Sequence, residues 1–172
     1  MKGIGPEGLN NVAAFVHAGG VLIACEAATE QATSLFKLPI REVTKGTKFY
    51  SPGSVFKVDI DPTHPFGWGL PAEARVYFDD GEAWQADLSF PSVSRGGAFV
   101  RYPETNPLVS GWIIADEVVR NRAAAAEFQI GAGRVVLFGF SITFRAQPQQ
   151  GLMLLFNALH AGAALSEQYR ER

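Results

Sequence analysis

The sequence predicts an α/β fold in which helices cover a mostly parallel sheet, with an added antiparallel β portion. Three observations predict it. A helix, a short apolar strand and a second helix follow one another within residues 6–36. Short alternating runs fill residues 46–102, and a strongly apolar run, Arg134 to Phe140, follows a glycine-rich hinge. Quick alternation of helix and strand marks parallel α/β layers, whereas alternating runs split by turns mark antiparallel pieces.

The first helix opens at Pro6, which suits a first-turn position. It carries Leu9, Val12, Ala13 and Val16 on one face and stops at Gly19-Gly20. Val21 to Cys25 is short, continuous and apolar, as a strand covered on both faces should be. Glu26 to Phe36 reads as a second helix, ended by Pro39. The middle holds Ser54 to Ile60 and Ala98 to Tyr102, separated by Asp61-Pro62-Thr63-His64-Pro65 and Phe78-Asp79-Asp80-Gly81. These read as strands and long loops lying over the α/β layer. Ala123 to Ala126 would be helical by propensity alone. Its continuation through Glu127-Phe128-Gln129-Ile130, Gly131-Ala132-Gly133 and Arg134 to Phe140 makes it half of a hairpin instead, with the second run the most apolar and central strand. Leu152, Leu155, Phe156 and Leu159 recur at helical spacing and give a final amphipathic helix.

The bulk properties fit one domain over residues 1–172. With 47% hydrophobic residues there is material for a core without disulfides, and the single cysteine allows no internal bridge. A net charge of -2 argues against a nucleic-acid partner. No stretch approaches the ~20 apolar residues a membrane-spanning helix needs, so no membrane partner is expected.

Cys25 is the one residue with nucleophilic promise. The end of a buried strand before a helix offers exposure and a positive dipole, which is how a nucleophile elbow works. Its neighbours Ile23-Ala24-Cys25-Glu26-Ala27 contain no glycine, and Glu26 sets a negative charge beside the thiol. The residues therefore favour a buried, inert cysteine, with a cysteine-dependent amidohydrolase as the alternative. His17, His64 and His160 stand alone without ligand spacing, so no metal is expected in this chain. Gly131-Ala132-Gly133 lies between two strands, not between strand and helix, and is a turn rather than a dinucleotide loop. Arg145 and Gln147 follow the strongest strand at the edge where α/β proteins place ligands. Arg145 could clamp a carboxylate, or both could satisfy loop carbonyls at the entry to the last helix. Aromatic residues from Phe49 and Tyr50 through Phe90 to Trp112 are core anchors or, if exposed together, a partner surface.

The order of several pieces resembles the C-terminal region of bacterial zinc-carboxypeptidase-like proteins, where a domain similar to class I glutamine amidotransferases, flavodoxin-like in architecture, follows the peptidase. The resemblance rests on Phe15-Val16-His17-Ala18-Gly19-Gly20-Val21-Leu22-Ile23-Ala24, Phe36-Lys37-Leu38-Pro39-Ile40-Arg41 and Phe49-Tyr50-Ser51-Pro52-Gly53-Ser54. It continues through Pro107-Leu108-Val109-Ser110-Gly111-Trp112, Gly133 to Phe140 and Phe144-Arg145-Ala146-Gln147. It implies a non-catalytic accessory domain of an exported parent that hydrolyses C-terminal peptide bonds. The zinc and its His-x-x-Glu ligands would lie upstream, in a peptidase domain that would be this domain's partner. It further implies that residues corresponding to the first strands precede Gly3, which would leave a sheet edge open to pairing with a second copy.

Overall fold

The computed structural model describes residues 3–86 and 96–167. Helix α1 (Gly5–His17) has Pro6 in its first turn and buries Val16, with Leu9, Val12 and Ala13 half-buried on the same side. Strand β1 (Val21–Cys25) follows the Gly19-Gly20 break. Helix α2 (Ala28–Phe36) ends before Pro39 is reached. Lys37 takes a left-handed φ of 49°, and Leu38 N–H donates to Thr33 O.

Strands β2 (Ile40–Glu42), β3 (Ser54–Ile60), β4 (Glu73–Phe78), β5 (Trp84–Ala86), β6 (Gly96–Arg101) and β7 (Leu108–Ser110) come next. Then β8 (Ala123–Ile130), β9 (Gly133–Phe138) and the long helix α3 (Gln149–Glu167) complete the chain. The alanine run is strand, as its continuation into the hairpin requires, and it pairs with β9 from Ala125↔Phe138 to Ile130↔Gly133.

Two expectations are corrected. The sheet is mostly antiparallel: in the order β1-β9-β8-β6-β3-β4, only β1 and β9 run parallel among the described residues. The connection explains one of the antiparallel pairs. The β8–β9 neighbours are joined by the two residues 131–132, and so tight a joint reverses the chain, whereas a parallel pair needs a long crossover. The middle strands also do not lie over the α/β layer. They extend the same sheet, because β6 pairs with β8 from Gly96↔Phe128 to Arg101↔Ala123. Phe90 lies outside the described residues.

The helices form two layers. α1 and α2 pack on β1 and β9 from one side, while α3 packs on β1, β4 and β9 with Leu154 and Ala158 fully buried. One core contains Phe56, Phe78, Phe99, Tyr102, Phe138 and Phe140. The other, under α1 and α2, contains Phe36, Trp84, Phe128 and Leu137. β9, between β1 and β8, is interior as its composition predicts. β1 is covered by helices on both faces, as its apolar run predicts, but it has a neighbouring strand on one side only among the described residues. It is the sheet's edge, and four of its five residues are only half-buried. No described helix is long and apolar enough to cross a membrane.

Candidate functional site

The parallel strands β1 and β9 end side by side, at the carboxyl edge where α/β folds place ligands. The chain leaves β1 through a strained turn. Glu26 has φ 52°, its N–H donates to Phe138 O at 3.0 Å, and α2 begins two residues later. Strand, one left-handed residue and helix are the shape of a nucleophile elbow. The residue at the strained position is Glu26, however, and Cys25 comes one residue before it.

Cys25 still belongs to the strand. Its half-buried side chain packs with those of Val21 and Ile23 against the α3 side of the sheet. Burial, and then the Glu26 carboxylate, push its thiol up to about 11. A thiol in that state is almost wholly protonated at neutral pH, and the thiolate is the nucleophilic form.

Polar residues gather around the turn. Thr29, in the first turn of α2, is fully buried. Its hydroxyl lies 2.5 Å from both the Glu26 carbonyl and Glu82 Oε2, and its single hydrogen serves one acceptor at a time. Glu82 is 4% exposed. Its Oε1 meets Lys45 Nζ at 3.2 Å, its N–H donates to Gly139 O at 2.7 Å, and its carbonyl accepts from Tyr102 Oη at 3.3 Å. Burial, then the Glu82 charge, drive the Tyr102 phenol far above its ordinary range, so it stays neutral. Lys45 also reaches Glu30 at 2.8 Å, and that hydrogen bond is the first cause holding its ammonium above the usual value. The loop bearing Lys45 is pinned by Glu42, whose carboxylate accepts from the N–H groups of Thr44 and Lys45 and from the Thr44 hydroxyl. Beside it opens a cavity of about 360 Å³ lined by Lys45, Thr47, Tyr50, Phe78 and Asp80 among others. The cluster can hold a polar group by hydrogen bonds, but it brings no imidazole to the thiol.

Arg145 and Gln147 do not converge on this site. Ser141 N–H donates to Tyr77 O, and Phe144 stacks on the Tyr77 ring at 3.7 Å, so the segment after β9 is carried over to β4. Arg145 is exposed in a left-handed conformation, φ 47°, with its guanidinium 5.2 Å above the Phe144 ring. Gln147 lines a separate cavity of about 210 Å³ with Arg75, Tyr77 and Phe144. Of the aromatics from Phe49 to Trp112, the exposed ones among the described residues fall in two places: Tyr50 and Trp112 near β7, and Trp68 near Met153 of α3.

A second polar cluster has no counterpart among the residues the sequence singles out as a group. His64 Nε2 lies 3.0 Å from Glu127 Oε2, and Arg134 Nη1 contacts Glu127 Oε1. His64 Nδ1 accepts from Phe66 N–H at 3.2 Å, and its ring stacks on Phe99. This is a neutral imidazole with hydrogen on Nε2; burial first, then the Arg134 charge, hold it below its usual value, against an opposing pull from Asp61. Glu127 sits opposite Val136 and Arg134 opposite Gln129, so the two are diagonal neighbours on one sheet face. A lone Glu inside an apolar strand, diagonal to an Arg across a hairpin, was the available signal. Among the described residues no group of three or more His, Cys, Asp or Glu is arranged to hold a metal ion.

No protein-family model matches the chain, and no curated protein does. Solved structures do. A GMP synthase-like protein from Thermoplasma acidophilum matches with a TM-score of 0.53 at 12% identity, covering 96% of this chain and 67% of its own. A ThuA-like protein from Bacteroides uniformis matches with a TM-score of 0.56 at 12% identity, covering 92% of this chain and 64% of its own. A β-galactosidase from Bacillus circulans sp. alkalophilus matches with a TM-score of 0.55 at 11% identity, covering 95% of this chain and 21% of its own. The fold is therefore similar to class I glutamine amidotransferase-like and ThuA-like domains, and the chain spans about two thirds of the first two structures.

Proposed function

We propose that this chain is a non-catalytic, amidotransferase-like accessory domain of an exported zinc-carboxypeptidase-like protein. One observation carries the non-catalytic part: the strained residue at the elbow is a carboxylate, Glu26, while the thiol of Cys25 lies one residue earlier, packed in the strand and held protonated. The similarity of fold to amidotransferase-like domains supports the domain type. The peptidase context rests on the sequence resemblance, with the zinc and its ligands assigned to a domain outside this chain.

The division of labour is tested by assaying the purified chain, with and without added zinc, on C-terminal peptide bonds and on glutamine. The expected result is no turnover of either; release of a C-terminal residue or of ammonia would sink the proposal. A second reading, a cysteine-dependent amidohydrolase, draws on the place of Cys25 at the carboxyl edge. It requires rapid alkylation of Cys25 by iodoacetamide at neutral pH without denaturant. Labelling that needs denaturant removes that reading.

A further inference from the structure

We propose that the cavity at the β4 edge of the sheet, between Arg75 and the stacked rings of Tyr77 and Phe144, binds a small monocarboxylate with an apolar body. Arg75 and Lys57 hold the carboxylate, and the rings hold the body. The site lies at the opposite end of the sheet from β1 and the elbow, and it stands independently of the accessory reading.

The charges on this face of the sheet stand like against like. Phe56 and Val58 of β3 and Ala74 and Val76 of β4 are buried in the core, so by the alternation of a strand the odd-numbered residues point to the outer face. There Lys57 stands directly opposite Arg75, and Asp59 directly opposite Glu73. Side chains so placed have Cβ atoms about 5 Å apart, and like charges in that position repel. Alternating the signs would relieve both pairs and still guard the edge. Among the described residues no carboxylate forms an ion pair with Lys57, Arg75 or Arg145. An anion seated between Lys57 and Arg75 supplies the counter-charge that the sheet itself does not.

Beside Arg75 the edge is walled. Phe144 stacks on Tyr77 with ring centroids 3.7 Å apart and planes 13° from parallel. Ser141 N–H donates to Tyr77 O at 2.9 Å, and Arg75 N–H donates to Gln150 Oε1 at 2.8 Å. These two bonds fix the segment after β9 and the first turn of α3 against β4. Between them lies the cavity of about 210 Å³, lined by Val55, Arg75, Tyr77, Phe144, Gln147 and Pro148 among others. Arg145, its guanidinium 5.2 Å from the centre of the Phe144 ring, adds a third cation beside the stack.

Size and charge choose the ligand. A cavity of roughly 150 Å³ admits a benzene ring. This one therefore holds a single ring or a short aliphatic chain, and it excludes a nucleotide. Val55, Pro148 and the two rings give it apolar walls, while Arg75 and Gln147 supply polar groups. A guanidinium presents a planar fork that matches a carboxylate.

The acidic pair of Asp59 and Glu73 limits the ligand's charge. It stands two residues along the strands from Lys57 and Arg75, roughly 7 Å away, and opposes a second negative charge. A monoanion with an apolar body meets every condition. A phosphate dianion suits neither the apolar walls nor the neighbouring carboxylates. A free carboxylic acid and the C-terminus of a polypeptide both present the required chemistry.

The test is isothermal titration calorimetry of the whole chain with hydrocinnamate, its neutral isostere hydrocinnamamide and inorganic phosphate as probes. The variants are Arg75→Gln and Lys57→Gln, and thermal melts without ligand establish that each folds. Both should melt at or above the wild-type temperature, since each removes one member of a like-charge pair. We expect hydrocinnamate to bind about tenfold or more tightly than the amide or phosphate, because a charge-assisted hydrogen bond is lost with the carboxylate. Either variant should weaken hydrocinnamate by about tenfold and leave the amide unchanged. N-acetylglycylphenylalanine separates the two sources: tighter binding than hydrocinnamate assigns a polypeptide terminus, weaker binding a small free acid. Failure of both acids to bind at millimolar concentration overturns the proposal. So does equal binding of acid and amide, tighter binding of phosphate, or an acid affinity indifferent to both substitutions.

Discussion

Thr29→Val tests whether the elbow is tied down through α2. The substitution keeps the shape of a fully buried side chain and deletes its hydroxyl, which lies 2.5 Å from Glu82 Oε2 and from the Glu26 carbonyl. A hydrogen bond to a charged group is worth about 1.5–3 kcal/mol, and leaving a buried acceptor without its donor costs a similar amount. Glu82 keeps its contact with Lys45, but that lysine is more than half exposed, so the ion pair adds at most about 1 kcal/mol. The expected loss is therefore about 2 kcal/mol, or roughly 4–8 °C in Tm for a domain of this size. The assay is urea unfolding of wild type, Thr29→Val, Glu82→Leu and the double variant. Residues in contact should couple by about 0.5 kcal/mol or more. If Thr29→Val lies within about 0.5 kcal/mol of wild type, or the two changes simply add, the hydroxyl does not bridge α2 to Glu82.

Three further outcomes are expected. His64 has a folded value below its unfolded 6.5, so the unfolded chain binds the extra proton; its contribution is complete above pH 6.5 and is lost as pH falls below it. His64→Asn, which can still accept from Phe66 N–H, should flatten the slope of stability against pH in that acidic range, and an unchanged slope would count against the assignment. Gly139→Ala should be strongly destabilising in thermal melts, because its Cβ would run into the Glu82 carbonyl, a backbone group with little freedom to move. A neutral result would mean that the β9 exit and the Glu82 loop are less closely packed than the structure shows. Lys37→Gly should stabilise by about 0.5–1 kcal/mol in urea unfolding, since Lys37 ends α2 with a left-handed φ of 49°; a loss of stability would put the helix end elsewhere.

Much of the first 36 residues and the β8–β9 hairpin was legible because their signals are local. Pro6, Gly19-Gly20 and the Gly131-Ala132 turn punctuate elements that the apolar pattern already outlines. The sheet's direction was not legible, because it depends on β6 meeting β8, a pairing of Gly96–Arg101 with residues far along the chain that no local pattern encodes. The helix α3 is apolar on more than one side, so its spacing alone could not choose between Leu154 and Ala158 and the stripe that includes Phe156 and Leu159. The elbow stands one residue beyond the position its sequence suggests. Sequence places Cys25 at the strand's end, but nothing in Cys25-Glu26-Ala27 announces that a glutamate takes the left-handed turn. Arg145 and Gln147 follow β9 in sequence, yet the Tyr77–Phe144 stack draws them to β4 instead of to β1.

The functional reading turns on the elbow belonging to Glu26, with Cys25 lying off it. The pH dependence of thiol alkylation decides this, measured in the native wild type and in the Cys25→Ala, Glu26→Cys double variant. Cys25 should react with an apparent pKa near 11. A thiol at position 26, exposed at the turn before α2 and free of the neighbouring carboxylate, should titrate well below it. A Cys25 that titrates at or below the position-26 thiol, or that reacts freely at neutral pH, would contradict that reading.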